Sequence, residues 1–285
     1  MSSQLIWVIT GTSSGLGRDL TLAALERGDK VIATGRARSL AKLDDLKARG
    51  ADILELDVTS SLEKLHEIAK KAVAIHGRVD VVVNNAGYGF FGAIEEITPE
   101  ESSNQFNTNV FGALNVSRAF LPYMRERKTG TVVFLGSLGG WKSLPNAGLY
   151  AATKFATRGI STTLHDEISP LGLRSICLDF GFFRTEFLNN VNRSPQVSLI
   201  DDYQPISEKA NADFEAYNGK QPGDPRKGVK VIVDVIHGEG VATGKSFPTV
   251  LALGGDTYRV VKTASEETLA RLEEWKEVTT STDFD

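Results

Sequence analysis

Residues 10–17 read Thr10-Gly11-Thr12-Ser13-Ser14-Gly15-Leu16-Gly17. A short apolar run, residues 5–10, leads into them, and Leu16, Leu20, Ala23 and Ala24 follow at helical spacing until Gly28. The stretch therefore reads as strand, tight turn and helix. Glycines at 11, 15 and 17 let backbone amides come close to an anion, and the helix behind them presents the positive end of its dipole. A glycine cluster alone also fits an ordinary flexible turn; the flanking strand and helix are what favour a pyrophosphate, hence a dinucleotide. The spacing G-x-x-x-G-x-G differs from the general dinucleotide fingerprint.

Working outward, the alternation continues. Strands are expected at residues 31–34, 53–56, 79–83, 131–135, 175–178 and 249–253. Helices are expected at 39–49, from a Ser61 cap through Ala72, at 99–127, 146–169, 225–237 and 266–278. Largely apolar strands such as 79–83, broken only by Asp80, and 131–135 fit a sheet covered on both faces. Strands alternating with helices pair in parallel through right-handed crossovers. The fold class is α/β: a single doubly wound, Rossmann-type domain over residues 1–285, with about seven mainly parallel strands. Residues 182–223 break the rhythm with Pro195, Pro205 and Pro222-Gly223, and read as an insertion covering the carboxyl edge of the sheet.

Composition narrows the function. The chain has 285 residues, 41% hydrophobic and 24% charged, enough apolar material for a sizeable core. A net charge of -4 offers no basic footprint for nucleic acid. No run has the length and apolarity of a membrane span, and the start, Met1-Ser2-Ser3-Gln4, lacks the basic region of a signal peptide. Cys177 is the single cysteine, which rules out an internal disulfide and fits a reducing, cytoplasmic setting; its apolar surroundings point to a buried thiol. His66, His76, His165 and His237 are scattered, so no metal site is expected.

Two further stretches bear on chemistry. The second strand ends Thr34-Gly35-Arg36-Ala37-Arg38, without the carboxylate that holds a free ribose 2′-hydroxyl in NAD-preferring folds. A guanidinium at Arg36 suits a 2′-phosphate instead and points to NADP(H), the alternative being a solvated surface arginine. Tyr150 and Lys154 are four residues apart on an expected helix and so share a face. An ammonium favours the phenolate of a nearby tyrosine, which makes the phenol usable for proton transfer. Alone, this pair also fits half-buried packing beside a snorkelling lysine.

Taken in order, these motifs resemble those of the short-chain dehydrogenase/reductase family over residues 5–185. The match adds Asp57-Val58 after the third strand, Asn84-Asn85-Ala86-Gly87 after the fourth, Asn109 in the long helix, and Ser137 ending the fifth strand ahead of Tyr150 and Lys154. The resemblance implies a hydride transfer between NADP(H) and a small-molecule carbonyl or secondary alcohol. Ser137 then polarises the substrate oxygen, Tyr150 passes the proton, Lys154 holds the nicotinamide ribose, and Asn109 helps to place a water for proton relay. Cofactor contacts carried over are Gly11, Thr12, Ser13, Ser14, Gly15, Leu16, Gly17, Asp57, Val58, Asn85, Ala86, Gly87, Tyr150, Lys154, Gly181, Phe183 and Thr185, with Arg36 beside them. The long helix from Pro99 and the helix of Tyr150 are the family's dimer face, so a homodimer or homotetramer is expected, with Phe106, Phe111 and Phe155 available there or to the core. The C-terminal part resembles soluble steroid- and retinol-dehydrogenase-like members.

Two positions depart from the family pattern. Phe180 stands where a proline often precedes Gly181, and Gly136 replaces the serine often found before Ser137. Apolar candidates for the pocket wall are Phe90, Phe91, Leu138, Trp141, Leu144, Phe183, Phe187 and Leu188. They suggest a medium-sized, fairly apolar substrate. An epimerase or dehydratase on the same fold, and a non-catalytic NADP(H)-sensing or scaffold protein, remain as alternatives.

Overall fold

Along β1 (Ile6–Ile9), successive side chains point to opposite faces of a sheet, and all four are buried. Ile6 and Val8 join one apolar cluster, Trp7 and Ile9 another. A strand with both faces covered has to lie inside a sheet flanked by helices. The computed structural model, which describes residues 3–189, 193–195 and 199–284, shows that arrangement. Seven parallel strands run in the order β3-β2-β1-β4-β6-β7-β9. They are β1, β2 (Lys30–Gly35), β3 (Asp52–Glu55), β4 (Val81–Asn84), β6 (Gly130–Ser137), β7 (Leu173–Phe180) and β9 (Val250–Leu253). A short β5 (Gly89–Phe91) pairs with β8 (Arg193–Pro195) apart from the main sheet.

Helices α3 (Leu62–His76), α5 (Ala113–Arg127) and α6 (Gly148–Ile168) contribute to the cluster on one face. The other face buries α1 (Gly15–Arg27) and α8 (Pro225–His237) against Trp7, Ile9, Val31, Val81, Val83 and Val133. Strand order reverses direction at β1/β4, so the turns after those two strands part to opposite sides and leave a crevice at the carboxyl edge.

Four elements differ from the sequence expectation, each for a local reason. The second helix is mostly a 3-10 stretch, Ala37–Leu43, with only the short α2 (Asp44–Ala48) behind it. The long helix is α4 (Pro99–Phe106) and α5 joined by a π-helical turn, Asn107–Gly112, which is the type of local widening that functional sites often use. Residues 182–223 carry a regular helix, α7 (Gln204–Tyr217), whose Pro205 start and Ile206-Ala210-Phe214 spacing were in the sequence but lay among turn residues. The terminal helix starts early: α9 spans Gly255–Glu274.

The opposite, amino edge of the sheet is tied by a buried acid. Asp29 accepts from Leu5 N (3.0 Å) and Trp7 Nε1 (2.9 Å) and lies 2.7 Å from His237 Nε2 at the end of α8. Replacing Asp29 by Ala strands these buried groups, each costing about 1–3 kcal/mol. Urea unfolding of the variant should show a loss of about 3 kcal/mol or more at unchanged m-value.

Candidate active site

The phosphate turn is built from contacts that leave no room for side chains. Gly11 and Gly15 have φ values of 69° and 57°, in the left-handed region that favours glycine. A Cβ on Gly11 would stand 2.9 Å from the Ala86 Cα, and one on Gly17 would overlap the Asn85 amide. Asn85 holds this approach: its Nδ2 donates to Thr10 O (2.7 Å) and Gly11 O (3.0 Å). Thr10 Oγ1 in turn accepts from the backbone of Asn85 and Ala86, at 3.0 Å each. Thr12 is buried, its hydroxyl bonded to Thr34 O at 3.0 Å, so it fixes the turn to β2. The first turn of α1 carries no carboxylate, Asp19 standing one turn further along the helix. A cavity of about 290 Å³ opens there between Ser13, Ser14, Gly15, Arg18 and Asp19 on one side and Arg184, Thr185 and Glu186 on the other. This cradle fits the pyrophosphate of a dinucleotide.

At the end of β2, Gly35 is buried with its open side 2.9 Å from Ser39 Oγ, and Arg36 is exposed. Asp57 faces Arg36 and Arg38 from the end of β3. Partial burial pushes its carboxyl up, but Thr59 N–H (3.0 Å) and hydroxyl (2.7 Å) donate to it, and with the two guanidiniums they hold it below the usual range. Val58 points into the core against Gly112.

Across the crevice, β6 ends at Ser137, whose Oγ accepts from Gly139 N at 3.1 Å. The open side of Gly139 lies 3.4 Å from Ser137 Oγ and 3.6 Å from Tyr150 Cε1, so hydroxyl and phenol ring converge over that glycine. Lys154 places its ammonium 5.6 Å from the Tyr150 ring centroid and donates to Leu135 O at 2.7 Å. Asn109, in the π-turn, is buried and has both amide atoms committed. Oδ1 accepts from Tyr88 N (3.1 Å), and Nδ2 donates to Tyr88 O (2.9 Å) and Thr153 Oγ1 (3.2 Å). The Thr153 hydroxyl donates onward to Tyr150 O at 2.7 Å. Asn109 thus clamps the Asn85-Ala86-Gly87 turn to the helix that bears Tyr150.

An aromatic wall stands against the phenol. Phe91 stacks on Tyr150 at 5.9 Å between centroids, Phe187 lies 5.5 Å from it, and Phe214 of α7 meets Phe91 edge-on at 5.2 Å. Leu138 and Leu188 are buried nearby and Phe90 is half-buried. Phe214 escaped sequence reading because its helix did. Three expected wall residues go elsewhere. Phe183 turns inward onto Phe180, 4.8 Å away. Trp141 donates to the buried Asp179 at 2.7 Å, and Leu144 is 41% exposed. Phe180, in place of proline, fills the core beneath the loop, while Asp256 accepts from Phe182 N at 2.7 Å and occupies the open side of Gly181. Thr185 abuts Gly15, with its Cβ 3.7 Å from that glycine's open side.

A model of the short chain dehydrogenase family matches residues 6–196. The chain belongs to the short-chain dehydrogenase/reductase family. It is an oxidoreductase of that family. The oxidoreductase BOA17 of Botryotinia fuckeliana is 34% identical over 278 residues, covering 96% of this chain and 97% of that one. A 3-ketodihydrosphingosine reductase of Bacteroides thetaiotaomicron is 37% identical over 71% of this chain and 72% of its own. A short-chain dehydrogenase structure from Streptomyces avermitilis superimposes with a TM-score of 0.86 at 36% identity, each chain covered fully. Solved chains that share the fold hold NADPH or NAD, so a nicotinamide cofactor is common to them. Among the described residues no helix is long and apolar enough to cross a membrane, and no group of three His, Cys, Asp or Glu side chains gathers to hold a metal.

The Asp57 geometry gives a titration test. A carboxyl held low by folded-state donors stabilises the fold above its unfolded pKa, and that stabilisation is lost as pH falls through the folded pKa. Thr59→Val removes the hydroxyl donor. The Asp57 carboxyl, followed by carbon NMR, should then titrate at higher pH than in wild type.

Proposed function

We propose that this family member is an NADP(H)-dependent dehydrogenase/reductase acting on a carbonyl or secondary alcohol of a medium-sized, apolar substrate. The observation that carries the reading is the convergence of the Ser137 hydroxyl, the Tyr150 phenol and the Lys154 ammonium beside a wall of phenylalanines. The bound cofactor supplies or accepts the hydride. Ser137 donates a hydrogen bond to the substrate oxygen, where charge develops, and Tyr150 gives that oxygen its proton or takes it away. Lys154, anchored on Leu135 O, is in place to hold ribose hydroxyls and to bias the phenol. The Asn109 side chain is fully engaged with Tyr88 and Thr153, so a relay water would have to use its backbone carbonyl in the widened turn.

The cofactor would lie along the edge formed by residues 11–17, 36, 57–58, 85–87 and 181–185. Arg36 and the lack of a carboxylate at Gly35 favour the 2′-phosphate of NADP(H). A ketone substrate is supported by the wall of Phe91, Phe187 and Phe214, which offers no charged partner, and by the relative named as a reductase of a 3-keto compound. We read residues 1–285 as one catalytic domain, with 182–223 bringing Phe187 and Phe214 over the substrate. Exposed Phe111 and Phe155, on the π-turn and α6, suit a homodimer face.

Tyr150→Phe should leave NADPH affinity intact, read by cofactor fluorescence, and lower kcat by about two orders of magnitude or more in ketone reduction. A kcat within a few-fold of wild type, with hydride transfer rate-limiting, would remove Tyr150 from the proton step. Gly35→Asp combined with Arg36→Ser should swing the kcat/KM ratio from NADPH toward NADH. A charge-assisted contact worth about 1.5–3 kcal/mol makes the expected change roughly ten- to a hundredfold.

A further inference from the structure

Ser137 begins a turn that has little shape of its own. Gly139 and Gly140 follow it and Gly136 precedes it, so the backbone of this stretch has to be positioned from outside. The outside support comes from β7. Gly136 pairs with Asp179 across the ladder, and Ser137 with Phe180. Asp179 is wholly buried, and its carboxylate fills the space that a Cβ on Gly136 would need. Its Oδ2 accepts from Trp141 Nε1 at 2.7 Å, and Oδ1 lies 3.4 Å from Cys177 Sγ. The carboxylate therefore packs on the residue before the turn and bonds the residue just past its end. Burial pushes the Asp179 carboxyl above its usual range, opposed by Trp141, Cys177 and Arg158.

On the other side of Trp141 stands α6. The Arg158 guanidinium, one helical turn beyond Lys154, lies 4.0 Å from the indole centroid and 5.1 Å from that of Phe155. Its Nη1 is buried without a hydrogen-bond partner, so the indole face and the field of Asp179 hold the cation. The indole is thus gripped from β7 by Asp179 and from the catalytic helix by Arg158. Gly140 seats the same turn 3.2 Å from Lys154 O, measured from its open side.

We infer that Asp179 and Trp141 are positioning residues for the reaction: the carboxylate–indole bond holds the turn of residues 137–141 and so sets the Ser137 hydroxyl against Tyr150. The inference rests on the catalytic reading given above. Neither residue reaches a substrate. A misplacement on the order of 1 Å at a reacting group can cost about a hundredfold in rate, so the bond matters for turnover more than for binding.

The test uses the whole chain with NADPH and propiophenone. Trp141→Phe keeps a ring under Arg158 and deletes the indole N–H. Asp179→Asn keeps the shape and removes the charge that accepts the Trp141 N–H. Each should lower kcat about tenfold or more, with KM for the ketone and Kd for NADPH within twofold of wild type. The double variant should be no slower than the worse single variant, because both changes delete the same bond. A Trp141→Phe kcat within twofold of wild type, or losses that simply add in the double variant, would overturn the inference. Wild type without turnover would sink the catalytic reading instead. The clamp is then judged by amide hydrogen exchange, which should quicken over residues 136–143 in both single variants and not over residues 10–17; unchanged exchange there would overturn it.

Discussion

Everything at the carboxyl edge hangs on one side-chain amide, that of Asn85. The glycine turn after β1 and the turn after β4 approach so closely that only hydrogen separates Gly11 from Ala86, and backbone groups packed that tightly need partners. The Asn85 amide and the Thr10 hydroxyl supply them in both directions. Without that stitch the carbonyls of Thr10 and Gly11 would lose a buried donor, and the amide-lined cradle would lose its fixed distance from β4. A helix N-terminus is useful to an anion only if the turn before it stays put.

The same logic of borrowed rigidity runs across the crevice. Asn109 sits where the helical ladder widens, and its amide reads both the N–H and the carbonyl of Tyr88 while reaching Thr153 on α6. The cofactor side and the phenol side are therefore measured from one another through a single asparagine. The aromatic wall is assembled from three separate elements, β5, the 186–188 turn and α7, and residues 199–203, which lead into α7, dock on Glu95 and Glu96. The aromatic wall and the turn that carries Ser137 are thus held by different parts of the chain.

The parallel sheet was legible because its signal is repetitive: apolar runs such as residues 81–83 have no other use. Glycines 11, 15 and 17, and the Tyr150/Lys154 pair, were legible because close approach and a shared helix face leave few other choices of residue or spacing. Phe214 was not, since α7 is amphipathic in a segment crowded with turn residues. The fate of Trp141 could not be read either. An indole near a catalytic turn looks like a wall, and only the tertiary pairing of β6 with β7 reveals a buried acid waiting for its N–H. The π-turn has no sequence mark at all, because it spends the same residues on a slightly wider ladder.

Gly136 and Asp179 also constrain how such a chain can change over generations. A serine at 136 would drive its Cβ into the Asp179 carboxylate and to 2.7 Å from Cys177 Sγ. Shortening Asp179 first would empty a buried site and orphan the Trp141 N–H. Either single step passes through a poorer protein, so in this chain the two positions are epistatic and can change safely only together.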